Sequence, residues 1–177
     1  MKTVVSQATV DSLPVLVRDE IRLREVHLSD AAALAALFQR PEVAEYLDPP
    51  PQTVADFGSW ISLSQSRRAQ DRAACYSLIT GKDEVCGVFM ALRFEERDRA
   101  EIGFAMAPHL WGTGVFQKTI DLYLDFLFTE WGVKTLVGKT LVRNVRGVGA
   151  MRKLGAKVVE ESVRNGQPEY IWTIERS

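Results

Sequence analysis

Histidine and cysteine are scarce in this chain of 177 residues, with two of each. His27 and His109 stand far apart, and Cys75 and Cys86 lack C-x-x-C spacing, so the sequence encodes no four-ligand zinc site and no metal is expected. The two cysteines fall in neighbouring strand-like runs and read as reduced core thiols of a cytoplasmic protein. No apolar run approaches the roughly 20 residues that span a bilayer. Met1 to Val10 lacks the charged-then-apolar order of a signal peptide. An excess of positive charge is missing too: 22 basic against 23 acidic residues leave a net charge of −1, which argues against a nucleic-acid partner. The basic pair Arg67-Arg68 reads as a solvated helix end. There is no linker, repeat, low-complexity tract, Walker pattern or complete Gly-x-Gly-x-x-Gly run. With 46% apolar and 25% charged residues, residues 1–177 read as a single soluble globular domain.

Periodicity orders that domain. Ile21 to Val26 alternates apolar and polar residues, the pattern of a half-buried strand. Ser29-Asp30 predicts the start of an alanine-rich helix to about Gln39, with Ser29 as N-cap. Pro41 permits a short helix through Leu47, stopped by Asp48 and Pro49 to Pro51, and Thr53 caps a longer one carrying Phe57, Trp60, Ile61 and Leu63. Two strands follow, Ala74 to Thr80 and Val85 to Phe94, joined at Gly81-Lys82-Asp83; a third runs from Ala100 to Met106. Phe116 to Thr129 is helical and apolar around much of its surface, which requires packing against a sheet. Thr135 to Val142 is β-rich and Asn144 to Leu154 helical, ended by Gly155. Lys157 to Arg164 and Tyr170 to Ile174 form a hairpin around Asn165-Gly166, a pair suited to a tight turn. The fold class is α/β (α+β), an antiparallel meander bracketed by helices.

Trp111-Gly112-Thr113-Gly114-Val115 lies between that third strand and the apolar helix. Strand, glycine loop and helix start together build an anion site, because glycines admit close backbone approach and the first helical N–H groups lack intrahelical partners. A pyrophosphate is the expected occupant, with an ordinary turn as the alternative. Gly147 and Gly149 cost the later helix about 1 kcal/mol each against alanine if both are helical. Such residues fit either close approach of a ligand or a frayed first turn.

Read in order, Ile21-Arg22-Leu23-Arg24, Ser29-Asp30, Glu101-Ile102-Gly103-Phe104, Pro108-His109-Leu110-Trp111-Gly112-Thr113-Gly114-Val115, Arg143-Asn144 and Leu154-Gly155-Ala156 resemble the GNAT acyl-CoA-dependent N-acetyltransferases, and within them the RimJ/RimL-like group. The resemblance covers nearly the whole chain. It implies a central mixed, mostly antiparallel sheet with a splayed strand pair and flanking helices, acetyl-CoA as cosubstrate, and an amine acceptor; a homodimer is compatible with it. Pantetheine amides would pair with Phe104, Ala105 and Met106. The loop Leu110 to Val115 would hold the pyrophosphate, with Trp111 either touching the cofactor or filling core volume. Asn144 would bond the pantetheine arm, cap its helix, or both.

Amine acylation needs a base, because an alkyl amine is mostly protonated at neutral pH. Glu101 is the first candidate implied, acting directly or through water; the alternative is a strand glutamate that faces solvent or pairs with Arg99. Glu169, in the C-terminal hairpin, is the second candidate, with an exposed hairpin charge as its alternative. The chain departs from the family where acids are expected. Gly147 stands where relatives carry serine, Met151 where many carry a tyrosine, His109 where a Gln or Arg is familiar, and Lys118 where a glutamate is common. Backbone-based cofactor binding tolerates these changes, but acid catalysis is put in question. A degenerate domain that binds acyl-CoA as a sensor or scaffold is therefore the competing reading. Glu42, Glu45 and Asp48 would either attract a cationic amine or form a solvated helix face.

Overall fold

A computed structural model describes residues 11–81 and 83–176. The signal-peptide reading of Met1 to Val10 lies outside the described residues, as does Lys82. Among the described residues the first element is β1 (Leu16–Arg18), a strand not foreseen from the sequence, and the chain turns at Asp19 into β2 (Ile21–Glu25). A 3-10 turn, Leu28–Asp30, leads into α1 (Ala31–Phe38), α2 (Pro41–Ala44) and α3 (Val54–Ala69). The meander is β3 (Ala73–Thr80), β4 (Glu84–Arg93) and β5 (Arg99–Met106). After it come α4 (Val115–Thr129), β6 (Thr135–Leu141), α5 (Val145–Lys153), β7 (Lys157–Arg164) and β8 (Gln167–Glu175).

All eight strands of the described residues join one sheet in the order β1-β2-β3-β4-β5-β6-β8-β7. Every pairing is antiparallel except β5 with β6, which is parallel and short: Arg99↔Thr135, Ala100↔Leu136 and Glu101↔Val137. Beyond Glu101 the two strands follow different neighbours. β5 stays with β4 as far as Met106↔Gly87, while β6 stays with β8 as far as Leu141↔Glu169. A wedge opens between them, and backbone groups facing it have no partner strand among the described residues.

The two faces of the sheet are covered differently. Successive strand residues point to opposite sides, so Tyr76 and Ser77 on β3 mark the two faces. On the Tyr76 side, α4 inserts Tyr123, whose ring lies 5.8 Å from Tyr76 and 5.7 Å from Phe89 and whose hydroxyl donates to the Ala74 carbonyl at 2.7 Å. This fulfils the packing demanded by so apolar a helix. On the Ser77 side lie α1 and α3, joined through Phe38 and Phe57, with centroids 5.2 Å apart. Ser77 donates to the buried Asp30 at 2.7 Å, and Arg24 grips the same carboxylate through two N–H groups at 2.7 and 2.8 Å.

That carboxylate corrects the reading of Ser29 as N-cap. Asp30 accepts the His27 N–H at 2.9 Å and fixes the 3-10 turn, so the buried residue of the Ser-Asp pair organises the entry to α1. Thr53 does cap α3, its hydroxyl accepting the Asp56 N–H at 3.1 Å. Arg67 is exposed as expected, but Arg68 is not a solvated helix end. Its Nε lies 2.7 Å from Oε1 of Glu25, which is itself 8% exposed. Both cysteines are free and buried; burial pushes the Cys75 thiol up to about 12, so it is fully protonated at neutral pH. In the last hairpin, Asn165 (φ 49°) and Gly166 (φ 77°) both take left-handed backbone, as a two-residue turn between antiparallel strands requires. Among the described residues no helix is long and apolar enough to cross a membrane.

Candidate active site

A cleft of about 400 Å3 occupies the mouth of the wedge. Its first wall is the edge of β5, with Phe104, Ala105 and Met106. The glycine loop and first turn of α4 add Trp111, Gly112, Gly114, Phe116 and Gln117. The opposite wall is the start and one face of α5, from Asn144 to Gly147 and on through Gly149, Ala150 and Lys153. The rim is α2 and the turn after it: Glu42, Val43, Tyr46 and Leu47.

Eight sequence-predicted residues therefore meet here: Phe104, Ala105, Met106, Trp111, Gly112, Gly114, Asn144 and Gly147. Leu110, Thr113 and Val115 do not line the cleft but shape its loop. Leu110 is buried, and its carbonyl accepts the Thr113 hydroxyl at 2.6 Å. The Thr113 oxygen in turn lies 3.4 Å from the Val115 N–H.

Both loop glycines hold positive φ, +72° at Gly112 and +86° at Gly114, and a Cβ built on either meets no heavy atom of the described residues within 4 Å. Gly114 sits at the N-cap of α4 and offers no side-chain cap. With the Val115 N–H turned to the Thr113 oxygen, the next N–H groups of this 15-residue helix, at Phe116 and Gln117, are left to a ligand or to water. An open glycine cradle under an uncapped helix start fits a phosphate group.

Trp111 does two things at once. Its indole N–H donates to the Met106 carbonyl at 3.1 Å, fixing the loop against the end of β5. Its ring carries the Arg146 guanidinium 3.5 Å from the centroid, a cation–π contact. Arg146 and Lys153 are cleft residues that the sequence reading missed. Their signal was present, since positions 146, 149, 150 and 153 share one helical face, with small Gly149 and Ala150 between two cations. This favours close approach of a ligand over a frayed turn as the reason for Gly149.

Asn144 caps α5, accepting the Gly147 N–H at 2.9 Å. Gly147 lets the Asn144 amide lie close over the helix start, since a Cβ there would come within 2.5 Å of the Asn144 Nδ2 and push that side chain aside. Asn144→Ala is expected to cost about 1 kcal/mol of stability through the lost cap. A parallel calorimetric titration with coenzyme A separates the two roles: a further fall of roughly fivefold in affinity marks a ligand hydrogen bond, and unchanged affinity leaves capping alone.

The two carboxylate candidates lie on the sheet face away from α4. Glu101, at the apex of the wedge, is half-buried and is not part of the cleft lining. Its partner is Lys139, Nζ to Oε2 at 3.0 Å, rather than Arg99. Glu169 is no exposed hairpin charge; it is 4% exposed. Arg164 Nε lies 2.8 Å from its Oε2, an ion-pair distance without hydrogen-bond alignment, and the Ser162 hydroxyl is 3.5 Å from Oε1. Arg164 also reaches the Tyr46 carbonyl at 3.0 Å and Asp48 at 3.1 Å. Arg143 holds the Glu45 carboxylate at 3.0 Å and its carbonyl at 3.3 Å. Two of the three rim acids are thus engaged by arginines, and Glu42 faces the cleft.

Among the described residues no three His, Cys, Asp or Glu side chains converge on a metal position. Comparison with known proteins points the same way as the cleft. The family described as acetyltransferase (GNAT) domain matches residues 20–157. An uncharacterized N-acetyltransferase p20 of Bacillus licheniformis is 27% identical over 144 residues, covering 78% of this chain and 80% of the relative. Among solved structures, RimL, a ribosomal alpha-N-protein acetyltransferase in complex with coenzyme A, superposes with a TM-score of 0.80 at 16% identity, covering 92% of this chain and 98% of that one. The acetyltransferase MccE in complex with acetyl-CoA and AMP gives a TM-score of 0.77 at 20% identity over 94% of this chain and 99% of that one. With the wedge, the glycine cradle and a family match over most of its length, the chain belongs to the GNAT family of acetyltransferases.

Proposed function

We propose that this protein transfers the acetyl group of acetyl-CoA directly to a primary amine, either a protein N-terminus or a small amine, with a carboxylate as general base. The observation that carries the reading is the cleft itself. It places an unpaired strand edge, an open glycine cradle at a helix start and two cations along one path. A pantetheine arm is a chain of amides that can complete the strand edge, and a pyrophosphate needs donors and positive charge. Phe104 to Met106 would bind the first; Gly112, Gly114, Arg146 and Lys153 would hold the second. A strand N–H near Ala105 or Met106 would donate to the developing oxyanion.

Glu101 is our preferred base. It stands where β5 and β6 part, and 31% of its side chain is exposed, whereas Glu169 is sealed against Arg164. Tyr46 carries the only side-chain hydroxyl on the cleft lining among the described residues, and it is our candidate for returning a proton to the departing thiolate. The rim of α2 supplies the acceptor side. A primary amine panel with acetyl-CoA, read by free-thiol release, tests the whole reading. Amine-dependent thiol is the expected result; coenzyme A-dependent thermal stabilisation without it would favour the sensor or scaffold, a reading supported by glycine at 147 and methionine at 151. Glu101→Gln is expected to lower amine-dependent turnover by roughly a hundredfold, within the usual range for loss of a general base, while leaving coenzyme A affinity unchanged. Full activity in that variant would move the base to Glu169 or to solvent.

A further inference from the structure

Lys139 presents a primary amine to the carboxylate that the reaction above would use as its base. Val137 is the last β6 residue paired with β5, opposite Glu101. Lys139 lies two residues further on, so its side chain leaves the same face of the strand, beyond the point where the strands part. From there it turns back, and its Nζ sits 3.0 Å from Oε2 of Glu101. Neither partner is sealed in: the side chains are 42% and 31% exposed. Ion pairs this exposed contribute roughly 0–1 kcal/mol to a fold, so the contact is not needed to hold the sheet together. Gly138, by contrast, faces α5, where a Cβ would meet Met151.

We propose that Lys139 is a self-acetylation site, its ammonium standing where the acceptor's would stand. The inference rests on the acetyltransferase reading, with Glu101 as base and the thioester in the wedge. Glu101 takes one proton from the Lys139 ammonium and passes it to water. The freed Nζ lone pair attacks the thioester carbonyl carbon, a C–N bond forms and the C–S bond breaks. The nitrogen's surplus proton leaves with the sulfur, so the products are Nζ-acetyl-lysine, coenzyme A thiol and one released proton. The modified side chain has lost its charge and no longer pairs with Glu101. An acceptor amine competes with it by occupying the same carboxylate.

The test incubates purified protein with acetyl-CoA and no acceptor, then follows acetyl occupancy at each lysine by peptide mass spectrometry. Lys134 is the internal control, since its side chain is 79% exposed and pairs only with Asp98 among the described residues. Lys139 is expected to be acetylated at least about tenfold faster than Lys134, a gap of 1.4 kcal/mol in barrier. Added acceptor should slow it. Glu101→Gln should bring Lys139 down to the Lys134 rate while coenzyme A still binds by titration. Equal rates at Lys139 and Lys134 in a preparation that acetylates added amines would overturn the inference and leave the function standing. Equal rates in a preparation that binds coenzyme A but acetylates no amine would overturn both. Acetylation of Lys139 undiminished in Glu101→Gln would also defeat it, because the route depends on that carboxylate.

Discussion

Replacing Gly112 or Gly114 with valine is expected to abolish coenzyme A binding in a protein that remains folded. Both residues hold left-handed backbone, at φ +72° and +86°, which a β-branched side chain adopts at a cost of about 1–3 kcal/mol. A domain with 5–15 kcal/mol of stability survives that. Among the described residues no heavy atom lies within 4 Å of either built Cβ, so the new side chain starts out into free space rather than into the core. That space belongs to the cleft wall at the start of α4, where a phosphate must approach the backbone to reach its N–H groups. Affinity should fall by roughly a hundredfold or more, about 2.8 kcal/mol. Calorimetric titration beside circular dichroism checks it, and unchanged affinity in either folded variant would remove the cradle from the binding site.

The second large effect is on stability. Asp30→Ala removes a carboxylate that is 2% exposed and holds Arg24, Ser77 and the His27 N–H together. Breaking one side of a buried ion pair costs about 3–5 kcal/mol; Arg24 retains some access to water, so the lower end applies. For a chain of this size about 3 kcal/mol lowers Tm by roughly 6–12 °C. The pH dependence has a definite sign. Burial pushes the Asp30 carboxyl up, but hydrogen bonds from Arg24, the His27 N–H and Ser77, with the Arg24 charge, outweigh it and hold the group below its ordinary value. Its contribution is thus complete above the unfolded carboxylate value, near about 3.9, and is lost as pH falls through the lower folded value. Denaturant titrations of wild type and Asp30→Asn should give a constant difference at neutral pH that narrows only in acid. A difference that widened in acid would show that the carboxylate is protonated in the fold.

Much of this architecture was legible because local chemistry decided it. Asn165-Gly166 specified its turn, Thr53 its helix start, and the aromatic run after Gly114 the helix that needed a sheet beneath it. Pairings distant in sequence were not legible. Nothing near Arg68 announced Glu25, 43 residues earlier, and nothing near Glu101 announced Lys139, 38 residues later. Asp30 was preferred to Ser29 by tertiary contacts to Arg24 and Ser77, which a capping rule does not see. β1 escaped notice because three residues are too few to show a period, and Val17 on it is exposed. In the candidate site, backbone-built features were readable from glycines, while Arg146 and Lys153 passed as ordinary helix charges until α5 was seen to face the cleft.

The three-rung pairing of β5 and β6 has a consequence for exchange with solvent. An amide that lacks a ladder partner exchanges its proton far faster than one inside a sheet, since no opening event must precede the exchange. The N–H groups of Ile102 to Met106 that face the wedge are thus fast reporters in the free protein, on a strand whose other edge is held by β4. A ligand lying along that edge would act as a temporary ninth strand and slow only these amides. Deuterium uptake would then map how far down the wedge a bound arm extends, residue by residue, before any acceptor has been identified.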